Sequence, residues 1–335
     1  MSDRAARIDA FLAAAGWGAA SRALLLGDAS FRRYVRLTRG GERAMLMDAA
    51  PPREDVRPFL AVARLLHGIG LSAPAILAED VAAGLLLLED FGDDTYTRLL
   101  AAGATEENLY ALAIDVLVAL NRRCAAASLA LPPYDETRLL AEAALLVDWY
   151  LPAITGAPTE PALREDYLAL WRGLLPLARD VPETLVLRDY HVDNLMRLPG
   201  RDGIAACGLL DFQDAVVGPL SYDLVSLLED ARRDVPAALA RDLRERFLAA
   251  FPKLDRAAFE RSYAVLGAQR NCKIVGIFTR LWARDRKDTY LAHIPRVWRM
   301  IGEDLTHPDL APLARWLDRH IPPSARRIPT IRPAA

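Results

Sequence analysis

The chain changes its hydrophobic period near residue 90, and that change limits the fold more than any other feature. Before it, short apolar runs are broken by turn residues at strand spacing. "RALLLG" and "RRYVRL" flank the turn "GDASF", Arg39-Gly40-Gly41 leads into "RAMLMDA", and "PAILAED" and "GLLLLED" follow. Two stretches there have helical spacing instead. One is the start of the chain, with Ile8, Phe11 and Leu12; the other is "REDVRPFLAVARLLHGIG", with Val56, Phe59, Leu60, Ala63 and Leu66 on one stripe. Beyond "DFGDD" helical periods take over at 94–101, 105–126, 136–150, 161–178 and from Ser221 to about His320. There "AAFERSYAVLGAQRNCKIVGIFTRLWARD" reads as one long buried element. The runs 184–187 and 194–198 read as a strand pair, and "GIAACGLL" as a further strand. The pattern predicts an α+β chain of two lobes, a small β-rich one at 1–90 and a larger, mainly helical one at 91–335. A length of 335 residues exceeds what one ordinary core fills, in line with two lobes. The Pro-rich end "IPPSARRIPTIRPAA" reads as a loosely held tail.

Composition removes several classes. Apolar residues make up 53% and charged residues 26%, a globular balance. A net charge of −2 and a pI of about 6.3 predict no nucleic-acid partner and no anionic membrane surface. The longest apolar run, near "AAGLLLL", falls far short of the roughly 20 residues that span a bilayer. Asp3 and Asp9 interrupt the first apolar segment and argue against a signal peptide. Cys124, Cys207 and Cys272 lie far apart without C-x-x-C spacing, so a reducing cytoplasm is the expected setting. Neither H-E-x-x-H nor G-x-S-x-G occurs, which leaves zinc hydrolysis and serine hydrolysis without support.

One stretch gathers polar chemistry. "LVLRDYHVDNLM", Leu185 to Met196, sets Asp189, His191, Asp193 and Asn194 between two apolar runs, and "GIAACGLL" then delivers Asp211. Any of these alone is an ordinary solvated loop residue. Together they suit phosphoryl transfer, which needs alignment and charge neutralisation more than covalent help. A carboxylate must orient the acceptor hydroxyl and take its proton, the role expected of Asp189. Hard oxygen ligands must hold Mg²⁺ on the phosphates, the role expected of Asn194 and Asp211. His191 reads as a loop brace, and Asp193 is left without a role.

The spacing resembles the protein-kinase pattern of R-D-x-x-x-x-N followed by an Asp-Phe metal loop, here "RDYHVDN" and "DFQ". With His191 two residues after the aspartate, the chain is more similar to the aminoglycoside phosphotransferase and choline kinase superfamily, whose loop runs H-G-D-x-H-x-x-N. Leu187 and Arg188 depart from its first two positions. The resemblance implies a bilobal protein-kinase-like fold, ATP and Mg²⁺ as cofactors, and a small alcohol as acceptor. It places the nucleotide at the turn of Gly27, Asp28 and Ser30, whose N–H groups can approach phosphates, and at the connector "LLLLEDFGDD", with Glu89 and Phe91 lining it. The lysine that kinases carry on the third strand is absent; the chain's lysines are Lys253, Lys273 and Lys287. Arg32 and Arg33 are the replacement candidates. Neighbours on an extended strand face opposite ways, so only one of them reaches the nucleotide.

"GDASFRRYVRL", "LMDAAPP" and "GAQRNCKIVGIFTRLWARD" occur together in a bacterial subfamily of anomeric sugar kinases acting on N-acetylmuramate and N-acetylglucosamine in peptidoglycan recycling. That resemblance implies an amino-sugar partner phosphorylated at its C1 hydroxyl. Arg270, Asn271 and Lys273 would then offer basic and amide groups to a lactyl carboxylate and an acetamido group. Gln213 and Asp214 are candidates for sugar hydroxyls, and Asp223 for bracing the loop of Asp211. Two other readings stay open here: a kinase for choline, homoserine or an aminoglycoside, and a non-catalytic nucleotide-binding pseudokinase. A monomer is the working expectation.

Overall fold

The structure, a computed structural model, describes residues 2–25, 31–124 and 129–332. The chain forms two compact units, one of residues up to 116 with 192–214, the other of 117–191 with 215 onward. The chain first passes between them within the helix Glu106–Arg123.

The first unit is built on β1 (Ser21–Leu25), β2 (Arg33–Arg39), β3 (Glu42–Asp48), β4 (Ile76–Asp80) and β5 (Leu85–Glu89), an antiparallel sheet in spatial order β1-β2-β3-β5-β4. These are the five strands the alternation predicts. Gly40 and Gly41, at φ 55 and 89, make the turn between β2 and β3 in a backbone region that side chains rarely adopt. Helix α1 (Ser2–Ala14) contributes Leu12 to a core shared with Leu37, Leu46, Leu85 and Leu87. Helix α2 (Arg57–Gly68) buries Phe59, Leu60, Ala63 and Leu66, the stripe read from the sequence. All four leucines of β5 are buried because the strand pairs on both edges and alternates between two covered faces. Each such leucine contributes roughly 1.5–3 kcal/mol.

The polar loop is framed differently from the expectation. Glu183–Val186 pairs with Val216–Pro219, and Leu195–Arg197 pairs with Cys207–Leu209. Between the two runs, Arg188 takes a left-handed φ of 73 and Val192–Asn194 forms a 3-10 turn, so the chain does not double back as a hairpin. The beginning of "GIAACGLL" is likewise a 3-10 turn, Gly203–Ala206, and only Cys207–Leu209 is strand.

The second unit is mainly helical and centred on Arg256–Asp285. Asp255 caps this helix by accepting from the N–H groups of Ala257 and Ala258 at 2.9 and 3.1 Å. The helix predicted over 136–150 breaks instead: Glu136–Ala143 ends, and Leu146–Tyr150 forms a π turn. Gly276 packs against that break, and a Cβ there would lie 2.3 Å from the Leu145 carbonyl carbon. Gly276→Ala is therefore expected to destabilise the protein by roughly 1–3 kcal/mol through overpacking, despite the better helix propensity of alanine. A lower urea midpoint at unchanged m value would report it.

The Pro-rich tail is pinned rather than loose through residue 332. The Tyr150 hydroxyl lies 2.9 and 2.7 Å from the carbonyl oxygens of Ala325 and Arg327, and the Arg326 guanidinium is 5.3 Å from the Trp298 ring. Such anchors are far away in sequence, so local composition does not reveal them. No helix among the described residues is long and apolar enough to cross a membrane.

Candidate active site

Asn194 and Asp211 are brought together in the first unit by backbone pairing. Asn194 closes the Val192–Asn194 turn, and its carbonyl accepts from the N–H of Leu210, the residue before Asp211, at 3.0 Å. Phe212 is fully buried and stacks on Phe59 of α2 with ring centroids 4.9 Å apart. That anchor leaves Asp211 at φ 56 with its side chain 46% exposed. A non-glycine residue in this region costs roughly 1–3 kcal/mol, so surrounding packing must impose it, as happens at functional sites. Both residues line a cavity of about 370 Å³ walled by Tyr34, Met45, Leu88 and Met196.

The ion pair with Asp211 identifies the better-placed arginine. Arg32 Nη2 is 3.5 Å from Asp211 Oδ1 and its Nε is 3.8 Å from Glu54 Oε2, with the side chain only 12% exposed. Arg33 is exposed at the start of β2. On the third strand, Met45 faces the cavity. Glu89 pairs with Arg201 and accepts from the Ala75 N–H at 3.2 Å, while Phe91 lies 5.4 Å from the Arg201 guanidinium. The side chains of Glu89 and Phe91 thus help fix the connector, and both line the cavity. Gln213 donates to Asp211 Oδ1 at 3.0 Å and Asp214 Oδ2 at 3.2 Å. Asp193 accepts from the Thr97 hydroxyl. Gly27, Asp28 and Ser30 lie outside the described residues.

Asp189 belongs to the second unit. Just before it, buried Asp223 accepts from the N–H groups of Leu187 and Arg188 at 2.6 and 2.9 Å, and burial pushes its carboxyl up to about 7. Asp223 therefore braces the loop of Asp189, not that of Asp211 as the sequence suggested. Burial alone would raise the Asp189 carboxyl, but Lys273, His191, Arg188 and Arg270 hold it below its ordinary value. It is a carboxylate at neutral pH, able to accept from a hydroxyl and take its proton. His191 is buried, and burial outweighs Asp230 in pushing its imidazole below the usual range, which suits a neutral brace. No group of three or more His, Cys, Asp or Glu among the described residues can hold a metal ion.

Arg270, Asn271 and Lys273 do not form one open face. Lys273 Nζ lies 3.1 Å from Glu142 Oε1. Arg270 donates to the Glu229 carbonyl at 3.0 Å. Asn271, fully buried, has its Nδ2 2.7 Å from Glu229 Oε2 and 3.2 Å from Asp304 Oδ2. Burial pushes Glu229 up to about 7 and Asp304 well above the usual carboxyl range. Glu229 and Asp304 line a second cavity of about 840 Å³, together with Tyr263, Arg233, Arg244 and Arg299.

The model of the phosphotransferase enzyme family matches residues 22–259. The chain belongs to that family. This phosphotransferase is 39% identical to the N-acetylmuramate/N-acetylglucosamine kinase of Caulobacter vibrioides, over 97% of this chain and 99% of the relative. Among solved structures it resembles a choline/ethanolamine kinase family protein from Mesorhizobium loti, with a TM-score of 0.61, 15% identity, and coverage of 97% and 99% of the two chains. It also resembles the ADP-bound aminoglycoside phosphotransferase APH(2'')-Ib, with a TM-score of 0.55, 17% identity, and coverage of 84% and 92%. The structural likenesses show the fold alone, the bilobal kinase-like arrangement that the change of period predicts.

Reading the sequence missed several residues of the phosphotransferase. Arg36 bonds to Asp90 and Asp93, with its Nε 2.7 Å from Asp90 Oδ2, and donates to the Gly92 carbonyl at 2.9 Å. Its signal was its shared strand face with Tyr34. Glu54 and Glu142 carried no local signal. Arg188, which departs from the superfamily loop, bonds to Glu142 at 2.5 Å and lies 5.6 Å from the Tyr134 ring.

Proposed function

We propose that this phosphotransferase moves the γ-phosphoryl group of ATP to the C1 hydroxyl of N-acetylmuramate or N-acetylglucosamine, the amino sugars released when peptidoglycan is recycled. The observation that carries this reading is Asp189, an ionised carboxylate among cations, five residues before an oxygen pair, Asn194 and Asp211, held by one backbone bond. The acceptor comes from the name of the 39%-identical relative.

In this reading the C1 hydroxyl donates its proton to Asp189 while its oxygen bonds to the γ-phosphorus. The bond from that phosphorus to the β–γ bridging oxygen breaks, and ADP leaves. Asn194 and Asp211 are hard oxygen donors, and Asp211 already faces a cation in Arg32, so the pair fits Mg²⁺. Bound there, Mg²⁺ would neutralise charge on the phosphates. Arg32 takes the part of the missing lysine, and the 370 Å³ cavity with Glu89 and Phe91 receives the adenine. Gly27, Asp28 and Ser30, outside the described residues, stay candidates for phosphate contact on sequence grounds alone.

The sugar is taken beside Asp189, where Arg188, Lys273 and Arg270 offer positive charge to a lactyl carboxylate. Gln213 and Asp214 remain the candidates for sugar hydroxyls. A polycationic acceptor would call for unpaired carboxylates, whereas Lys273, Arg188 and Arg270 surround Asp189 with positive charge. Phosphorus NMR of the protein with ATP, Mg²⁺ and N-acetylmuramate should show a sugar 1-phosphate and ADP, with no product from choline or kanamycin. Phosphate on another carbon, turnover of only the cationic acceptors, or no ATP consumption at all would overturn the reading.

A further inference from the structure

Four donors meet at one carboxylate in the second unit. Glu142 accepts from the Tyr134 hydroxyl, from Arg188 at 2.5 Å, from Lys273 at 3.1 Å and from Gln269 at 3.5 Å. Gln269 and Lys273 are four positions apart on Arg256–Asp285, so both reach the same neighbour. Glu142 comes from the last turn of Glu136–Ala143, and its side chain is 15% exposed. Burial would raise this carboxyl, but Lys273 and Arg188 outweigh it and keep it ionised.

The two cations held by Glu142 are also among those acting on Asp189. Arg188 directly precedes Asp189 and sits at φ 73, where the superfamily loop carries glycine. A side chain at that φ is strained and needs an external hold. Asp223 holds its backbone N–H, and Glu142 holds its guanidinium. Without Glu142, Arg188 and Lys273 would lose the carboxylate they share, and Lys273 would be drawn toward Asp189 as an ion pair.

We propose that Glu142 is a positioning residue for phosphoryl transfer, clamping Arg188 and Lys273 as fixed counter-cations of Asp189 in place of the His-Gly pair that opens the superfamily loop. The inference rests on Asp189 being the base. Glu142→Gln is expected to lower kcat by about 10- to 100-fold, the scale of a small misplacement of reacting groups, with KM for ATP within about twofold. Glu142→Asp should recover part of the rate. Glu142→Gln combined with Lys273→Met should lose less than the product of the single losses, because each acts through the other.

Unchanged kcat in Glu142→Gln overturns the proposal. So does a fall in rate that tracks lost thermal stability, is not restored by Asp, and multiplies cleanly with Lys273→Met. Should Glu142→Gln fail to fold, Glu142→Asp against Lys273→Met supplies the same kcat-against-KM comparison, and unchanged kcat in both overturns it. Asp189→Asn, run beside them, separates the two readings: full activity there removes the base itself, whereas an inactive Asp189→Asn beside a fully active Glu142→Gln removes only the clamp.

Discussion

Asp189→Asn is expected to lower kcat by roughly 10²- to 10⁴-fold, the usual contribution of a positioned general base. The amide has nearly the shape of the carboxylate and can still accept a hydrogen bond, but it cannot take the proton of the acceptor hydroxyl. It also leaves Lys273, Arg188 and Arg270 facing a neutral group where the native loop has an anion. Nucleotide affinity should hardly move, since the cavity assigned to ATP is lined wholly by residues of the first unit and Asp189 belongs to the second. Calorimetric ATP titration and steady-state rates on the same preparation test both halves. A variant that binds ATP normally and turns over within about threefold of the native rate would take the base role away from Asp189.

Which parts of this protein could be read in advance follows from the range of the forces involved. The strands of the first unit and the stripe of α2 are short-range patterns, set by alternation and by a 3.6-residue period, and they appear where the pattern puts them. Asn194 and Asp211 could be singled out in advance because their proposed roles rest on chain spacing alone, and the structure joins their segments through the bond from the Leu210 N–H to the Asn194 carbonyl. Glu142 is different. Nothing in "ETRLLAEA" separates it from Glu136, and its importance comes from Gln269, 127 positions away, and from Lys273 beyond that. Asn271 shows a second limit. A helix buried around most of its circumference has no clear polar side, so periodicity could not say that Asn271 points to Glu229 while Lys273 points to Glu142. The left-handed φ of Arg188 and Asp211 was hidden too, because it is imposed by Asp223 and by the Phe212–Phe59 stack rather than by residue type.

The stack also bears on what Asp211→Asn should do. Asparagine tolerates the left-handed region better than most residues, so the variant can keep φ near 56 with Phe212 still buried. What it loses is charge. In the proposed Mg²⁺ site one of the two oxygen donors is then neutralised, so kcat should fall by roughly 10²- to 10³-fold, comparable to removing a main electrostatic contact with the transition state. The Mg²⁺ concentration for half-maximal rate should rise by about tenfold or more. ATP binding without Mg²⁺ should move the other way. The native carboxylate would repel the triphosphate and competes for Arg32 at 3.5 Å, so removing its charge lessens that competition and tightens metal-free ATP. Arg32→Ala should do the reverse, weakening metal-free ATP while leaving the Mg²⁺ half-point nearly in place. An unchanged Mg²⁺ half-point in Asp211→Asn would put the cation on other ligands. Tighter metal-free ATP in that variant, abolished by adding Arg32→Ala, would tie Arg32 and Asp211 to the same phosphates.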